Sequence, residues 1–213
     1  ASATDIGTTG QSTKFDIYTG YGLLNVYNAL LSVPNKTTPT VTAPSTPTVT
    51  GIYLYGHDDI YLRWNAVSGA TLYRVYYRKY GTSTWYSFTT TSTTGYKANL
   101  ADGKKYYFRV RAINSAGYSG YSGTLSIYTL KKVYQKSLYR SGSRYTKVRW
   151  TNIAGESGYQ IYRKKAGGSY KKVKTISYKY SSWTDKKTYK HKTYYYKVRA
   201  YKISNGKYIY GPY

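Results

Sequence analysis

Alternation of apolar and polar residues is clearest in two stretches, KKYYFRVRAIN at residues 104–114 and KTYYYKVRAYK at residues 192–202. Every second residue is aromatic or aliphatic from Tyr106 to Ala112 and from Tyr194 to Ala200, and most of the residues between them are Tyr, Lys or Arg. A period of two is typical of a β-strand that buries one face and exposes the other. Both stretches are therefore predicted to be half-buried strands.

The surrounding sequence contains an internal repeat. The segment IYLRWNAVSGATLYRVYYRK at residues 60–79 aligns with TKVRWTNIAGESGYQIYRKK at residues 146–165, and Trp64 and Trp150 are 86 residues apart. A period of this length is that of a whole domain rather than of a solenoid unit. Each copy has about seven short strands separated by Gly, Asn, Ser and Asp turns, which predicts an Ig-like β-sandwich.

Composition divides the chain into four segments. Residues 32–49, SVPNKTTPTVTAPSTPTV, hold four of the five Pro residues among Thr and Ser, which predicts an extended linker. Residues 50–130 carry a net charge of +6 and residues 131–213 a net charge of +20, whereas residues 1–49 are neutral overall. We expect residues 50–130 and 131–213 to be one sandwich domain each, with the cationic charge concentrated in the second.

The same composition excludes several kinds of site. The chain has no Cys, so zinc–thiolate, disulfide, iron–sulfur and cysteine-nucleophile sites are impossible. No run of about 18 apolar residues is present, so no membrane-spanning helix is predicted. The chain begins with Ala and has no apolar leader, and we expect it to be part of a longer secreted protein.

The repeated pattern resembles the fibronectin type III family. The first copy carries it at Trp64, Tyr73, Val75, Leu100, Gly103, Tyr106, Phe108, Val110 and Ala112. The second copy carries it at Trp150, Tyr159, Ile161, Tyr194, Tyr196, Val198 and Ala200, but has Thr188 where the first has Leu100. The resemblance implies an all-β fold of two tandem Ig-like sandwiches, and it implies that the corner residue Tyr106 bonds back to the backbone near Leu100. The Lys- and Tyr-rich style is similar to that of modules on secreted Gram-positive proteins.

Residues 1–31 have a different pattern. Leu23, Leu24, Tyr27, Leu30 and Leu31 lie on one face of a predicted helix over about residues 20–31. The stretches Ala3-Thr4-Asp5-Ile6-Gly7 and Gly20-Tyr21-Gly22-Leu23-Leu24-Asn25 resemble the C-terminal end of a subtilisin-like (S8 family) serine protease domain. That family's catalytic Asp, His and Ser motifs are absent from this chain, so no catalytic residue is carried over.

The two His residues, His57 and His191, are the candidates for a catalytic base or a metal ligand. His57 lies beside Asp58 and Asp59 in a segment between predicted strands, and the alternatives are a base or metal ligand on one hand and a polar turn on the other. The polar turn is the favoured interpretation. His191 lies among Lys residues, where it is interpreted as a surface residue. We therefore predict no enzyme activity for this chain, no metal site and no cofactor.

The candidate binding residues are the outward positions of two neighbouring strands in each copy. They alternate Tyr with Lys or Arg, a combination that suits polyanions or glycans, although cross-strand Tyr–Arg pairs also stabilise a sheet without any ligand. In the first copy they are Arg74, Tyr76, Arg78, Tyr107, Arg109 and Arg111. In the second copy they are Tyr162, Lys164, Tyr195, Lys197, Arg199 and Tyr201.

Three functions follow as hypotheses. The first is the non-catalytic C-terminal region of a secreted subtilisin-like protease, whose monomeric modules act as a spacer and as a cationic anchor on anionic cell-wall polymers. The second is a pair of carbohydrate-binding or adhesion modules, and the third is non-specific nucleic-acid binding. The first is preferred because two separate resemblances both point to an extracellular, possibly wall-associated protein whose parent is a serine endopeptidase.

Overall fold

The computed structural model describes residues 40–213, which form fifteen β-strands and no helix. The predicted helix at residues 20–31 and the protease-like segment 1–31 lie outside the described residues. Eight strands form module 1: β1 Val49–Leu54, β2 Ile60–Trp64, β3 Leu72–Lys79, β4 Tyr86–Thr90, β5 Thr94–Lys97, β6 Lys105–Asn114, β7 Gly117–Tyr118 and β8 Leu125–Tyr128. Seven form module 2: β9 Gln135–Ser141, β10 Tyr145–Trp150, β11 Gly158–Lys165, β12 Lys171–Ser177, β13 Ser182–Asp185, β14 Tyr194–Ser204 and β15 Lys207–Tyr210.

Each module is a sandwich of two antiparallel sheets. In module 1 a sheet in the order β1-β2-β5 faces a sheet in the order β4-β3-β6-β7, and β8 also pairs with β6. In module 2 the corresponding orders are β13-β10-β9 and β12-β11-β14-β15. The prediction of an all-β chain with two tandem Ig-like sandwiches is confirmed.

Alternating side chains from both sheets fill the core of each module. Along β6 every second residue from Tyr106 to Asn114 is buried, and β14 follows the same rule from Tyr194 to Ala200. The two repeated Trp residues occupy equivalent places, with the Trp64 ring 5.4 Å from that of Tyr73 and the Trp150 ring 5.4 Å from that of Tyr159. Burial of these large rings is the main source of stability in each sandwich.

The two corner tyrosines differ. The backbone N–H of Ala101 donates to the Tyr106 hydroxyl at 3.0 Å, which confirms the predicted bond near Leu100. The Tyr194 hydroxyl is buried and has no hydrogen-bond partner among residues 40–213. Thr188, which stands in place of the corner leucine, instead bonds to Thr146 at 3.1 Å and donates to the carbonyl of Arg144 at 3.0 Å. The second copy therefore keeps the fold without the corner bond.

Residues near the end of the Pro-rich segment contact module 1. Pro44 and Pro47 are buried, and the side-chain amide of Asn114 donates to the carbonyl of Thr42 at 2.7 Å. No helix among residues 40–213 has the length and apolar character needed to cross a bilayer.

The modules contact each other directly. The N–H of Leu54 in module 1 donates to the Ser204 hydroxyl of module 2 at 2.8 Å, and this bond is buried. Leu130, between the modules, is fully buried and donates its N–H to the carbonyl of His57. Gly155 adopts φ +89°, and a Cβ there would overlap the Tyr128 side chain. These contacts define one joint, formed by the β1–β2 turn, the chain around residue 130 and the β14–β15 turn.

Candidate polyanion-binding faces

The predicted residues of module 1 lie together on the outward face of β3 and β6. Antiparallel register places Arg74 opposite Arg111, Tyr76 opposite Arg109, and Arg78 opposite Tyr107. The six predicted side chains therefore form three adjacent cross-strand pairs. We call this surface face 1.

Aromatic rings cover the arginines of face 1. The Arg109 guanidinium lies 3.6 Å from the ring centre of Tyr121 and 4.1 Å from that of Trp85. Arg111 lies 4.7 Å from Tyr118 and 4.6 Å from Tyr121. A guanidinium held between rings gains cation–π attraction and is shielded from water. These arginines are therefore held by the module's own side chains.

Backbone carbonyls also hold the arginines of face 1. Arg78 donates to the carbonyl of Thr82 at 2.6 Å, and Arg111 donates to that of Ser119 at 2.6 Å. The Nε of Arg109 is buried without a hydrogen-bond partner in the part of the chain that the structure describes. The geometry of face 1 is that of a stabilising ladder of cations and rings.

The predicted residues of module 2 form the equivalent surface on β11 and β14, which we call face 2. Tyr162 lies opposite Lys197, and Lys164 lies opposite Tyr195. Arg199 donates through Nη2 to the Gln160 side-chain oxygen at 3.0 Å and to the Tyr162 hydroxyl at 2.7 Å. Arg199 is thus fixed, as the arginines of face 1 are.

The lysines of face 2 remain more accessible. Lys197 is exposed and lies 4.5 Å from the ring centre of Tyr170, and Lys164 lies 5.2 Å from that of Tyr195. The Tyr195 side chain is 46% exposed. Ammonium groups beside exposed rings can pair with an anion while the ring contacts a sugar or a base.

Two tyrosines near face 2 differ in exposure, since Tyr201 is covered and Tyr213 is 41% exposed. Tyr201, which was predicted as a binding residue, is only 8% exposed, and its ring lies 5.2 Å from that of Tyr208. A ligand on face 2 does not have access to the Tyr201 ring. Burial and a hydrogen bond with Tyr162 raise the pKa of Tyr213 to about 12, so this phenol stays neutral at physiological pH.

The rings that complete both faces were missed by sequence reasoning. Trp85 and Tyr170 precede the edge strands β4 and β12, and Tyr118 and Tyr121 lie near the end of module 1. Strand alternation identifies outward residues within a strand but not the loop residues that fold over them. The one usable signal was the matching position of Trp85 and Tyr170, each directly before an edge strand of its repeat.

His57 lies between two carboxylates at the β1–β2 turn. Its Nδ1 is 3.2 Å from Asp58 and its Nε2 is 3.4 Å from Asp102, while Asp59 accepts the N–H of Asn99 at 3.1 Å. Each ring nitrogen faces a different carboxylate, whereas a metal ion would need one nitrogen and the carboxylates directed at a single point. The arrangement is a turn in which the ligand atoms of His57, Asp58 and Asp102 lie within 4.8 Å of one another. His191 is exposed in a turn with φ +59°.

Comparisons with known proteins show a likeness to solved structures alone. No protein-family model and no curated protein matches the chain. Among solved structures, the FN1-FN3 domains of chicken CNTN1 are similar to it, with a TM-score of 0.41 and 22% sequence identity. The match covers 80% of this chain and 65% of the CNTN1 fragment, so this chain spans a little under two thirds of the length of that fragment.

Proposed function

We propose that this chain is a non-catalytic pair of extracellular modules, in which module 1 serves as a spacer and module 2 attaches to anionic polymers of a cell surface. One observation carries the proposal. Residues 40–213 contain 31 Lys and Arg side chains, 9 in residues 50–130 and 22 in residues 131–213, and Arg163 alone forms an ion pair with a carboxylate. The other cations have no carboxylate partner within the described part of the protein.

Unpaired cations at this density favour an anionic partner. A net charge of +20 on the 83 residues of 131–213 raises the local concentration of polyanions and speeds their association. The same charge makes separate copies of the chain repel one another, which opposes self-association. Attraction of this kind is screened within about 8 Å at physiological salt, so binding must weaken as salt rises.

The protease parent remains part of this proposal. It is supported by the subtilisin-like pattern of residues 3–7 and 20–25 and by the fibronectin type III resemblance of the repeats. A spacer and surface anchor would hold such a protease near its substrates. Peptide sequencing upstream of Ala1 in the native secreted protein tests this part. A Gly-Thr-Ser motif with its Asp and His is the expected result, and a mature protein that begins near Ala1 would refute the parentage.

Sedimentation with purified Gram-positive cell walls tests the anchoring. We expect the chain to sediment with walls in 50 mM salt and to be released in 1 M salt, because the attraction is ionic. Walls stripped of their anionic polymers are the matched control and should retain little protein. Retention that is unchanged at 1 M salt would contradict the electrostatic anchor.

A second candidate function is recognition of neutral glycans by face 2. The exposed ring of Tyr195 beside Lys164 and Lys197 is the observation that favours it. It requires binding that survives high salt and is lost in Tyr195→Ala. The equivalent variant in face 1, Tyr107→Ala, is the control, because Tyr107 is half-buried whereas Tyr195 is exposed.

A further inference from the structure

A cleft of about 520 Å³ opens between the two sheets of module 2, on the edge formed by β12 and β13. Its lining shares no residue with face 2. Five cations and one buried carboxylate line it together with Trp183, Val173 and Thr184. The charged residues are Arg163, Lys172, Lys174, Lys186, Lys187 and Asp185. The lining therefore has a net charge of +4.

Asp185 organises the floor of this cleft. Its side chain is 2% exposed, and its Oδ2 accepts hydrogen bonds from Arg163 at 2.7 Å and from the Tyr196 hydroxyl at 2.9 Å. Its Oδ1 accepts the backbone N–H of Lys187 at 2.9 Å. A buried carboxylate with these donors is stable and holds its neighbours in fixed positions.

The same bonds fix two lysines at the rim. Arg163 also donates to the carbonyl of Lys187 at 2.9 Å, so the chain at residues 185–187 is held at both its N–H and its carbonyl. The bonds use the backbone of Lys187 and leave its ammonium free, and Lys186 and Lys187 are both exposed. Both bonds of Arg163 use Nη1, which leaves its Nη2 without an acceptor among the described residues.

A β-bulge brings two more lysines to the opposite wall. The register of β11 with β12 shifts between Ile161 and Tyr162, so Val173 is the extra residue of β12. Val173 packs against the core, and the bulge places Lys172 and Lys174 on either side of it at the edge of the cleft. Bulges of this kind re-aim side chains at a strand edge.

The equivalent cleft of module 1 has a different lining. It measures about 350 Å³ and contains tyrosines and threonines with only two cations, Lys79 and Lys97. Tyr77 occupies the position of Arg163 there, and Lys97 the position of Asp185. The fold alone therefore does not require a cationic cleft at this place.

We propose that the cationic cleft of module 2 binds an acidic glycan, with its carboxylate or phosphate groups paired to Arg163 and the rim lysines and a sugar ring against Trp183. Trp183 is half-buried in the wall of the cleft, so part of its indole ring is accessible next to the cations. Cations select the acidic group, and the indole favours a sugar ring over a ringless polyanion. This inference rests on the proposed anchoring function and locates its principal contact.

Calorimetric titration of the full chain with a galacturonic acid hexamer at 0.1 M salt tests the proposal. The cleft variant is Lys172→Gln, Lys186→Gln and Lys187→Gln combined. Removing three ionic contacts from a polyanion complex is expected to weaken affinity by on the order of 10- to 100-fold. The matched control combines Lys136→Gln, Lys147→Gln and Lys207→Gln, which removes the same charge elsewhere in module 2, and should weaken affinity by less than about threefold.

Three further arms distinguish the ligand class. The neutral galactose hexamer should not bind, and the affinity of inorganic polyphosphate and of an oligomer of thymidylate should be weakened equally by the cleft and control variants. Tryptophan fluorescence of the wild type should change when the galacturonate hexamer binds. The Trp183→Phe variant should not show this change. Thermal unfolding of each variant verifies that the fold is kept.

Three results would overturn the inference in distinguishable ways. Equal weakening by the cleft and control variants would show that charge alone matters, which refutes the cleft and leaves the anchoring function standing. Tighter binding of thymidylate than of galacturonate, with the same dependence on the cleft lysines, would reject the acidic glycan as ligand. Absence of galacturonate binding by a wild type that still sediments with cell walls would refute the cleft and leave the anchor standing.

Discussion

At the scale of single residues, three matching positions carry different chemistry in the two modules. In module 1 the rings of Tyr77 and Phe108 stack at 5.9 Å, and Lys97 lies 5.4 Å from the Tyr77 ring centre. The corresponding residues of module 2 are Arg163, Tyr196 and Asp185. An aromatic contact is thus exchanged for a hydrogen-bonded ion pair, in which Asp185 is buried whereas its counterpart Lys97 is partly exposed. The Tyr196 hydroxyl supplies the extra donor that a buried carboxylate needs.

The corner tyrosines give a paired prediction of stability. Tyr106→Phe removes the acceptor of the Ala101 N–H and should lower the free energy of unfolding by about 1–2 kcal/mol. Tyr194→Phe removes a buried hydroxyl that has no partner, so it should be neutral or slightly stabilising. Urea denaturation of both variants checks this. Equal destabilisation by the two variants would contradict the account of the corner.

Alkaline pH should destabilise module 2 through Tyr196. Burial and the hydrogen bond to Asp185 raise the pKa of Tyr196 above its ordinary value of 10.0. The contribution to stability is therefore complete below pH 10 and is lost as the pH rises through the higher folded-state value. Urea midpoints measured from pH 7 to pH 11.5 should fall less steeply above pH 10 in Tyr196→Phe than in the wild type.

The matched control for this pH dependence is Tyr195→Phe. Tyr195 neighbours Tyr196 on β14 but its side chain points to solvent, so this variant should follow the wild-type curve. Parallel curves for the wild type and Tyr196→Phe would refute the assignment.

At the scale of strands, face 1 and face 2 share one pairing register but differ in the role of their cations. Face 1 places arginines between rings, and face 2 places lysines over rings, with Arg199 as its fixed guanidinium. Arg is the better residue for stacking and Lys the more strongly hydrated charge. The strand pair of module 1 is thereby stabilised, and that of module 2 keeps accessible charge.

Truncation of Arg109 tests the stabilising role of face 1. Arg109→Ala removes contacts with the rings of Trp85 and Tyr121 and should lower the free energy of unfolding by about 1–3 kcal/mol. Lys104→Ala, an exposed cation of the same module, should change it by less than about 0.5 kcal/mol. Chemical denaturation measures both, and similar values for the two variants would contradict the ladder.

The strands were predictable from sequence because alternation and burial coincide in them. Residues 106–112 and 194–200 alternate strictly. The pairing of β3 with β6 and of β11 with β14 is what the fibronectin type III resemblance implied. The cationic cleft was not predictable. Its ion pair joins Arg163 to Asp185, 22 residues away on the opposite sheet, and its wall depends on the bulge at Val173. Neither feature leaves a periodic signal.

At the scale of the whole molecule, the joint links the two folded modules into one stable unit. Its central bond joins Leu54 to Ser204 and is buried, so loss of the acceptor leaves an unsatisfied N–H. Ser204→Ala should lower the free energy of unfolding by about 1–3 kcal/mol and separate the transitions of the two modules. Scanning calorimetry should show a broader or split peak.

Ser181→Ala is the control for the joint. Ser181 is exposed at the opposite edge of module 2, so its loss should leave the calorimetric peak unchanged. An unaltered peak in Ser204→Ala would show that the joint does not couple the modules.

Hydrogen exchange of the full chain, free and bound to an acidic glycan, tests the division of roles between the modules most directly. The account predicts slower exchange on binding in peptides that cover residues 160–200, strongest at residues 171–175 and 183–188 around the cleft. It predicts no change in residues 72–79 and 105–114, where the arginines are already held by rings. Protection confined to module 1, or spread evenly over both modules, would contradict it.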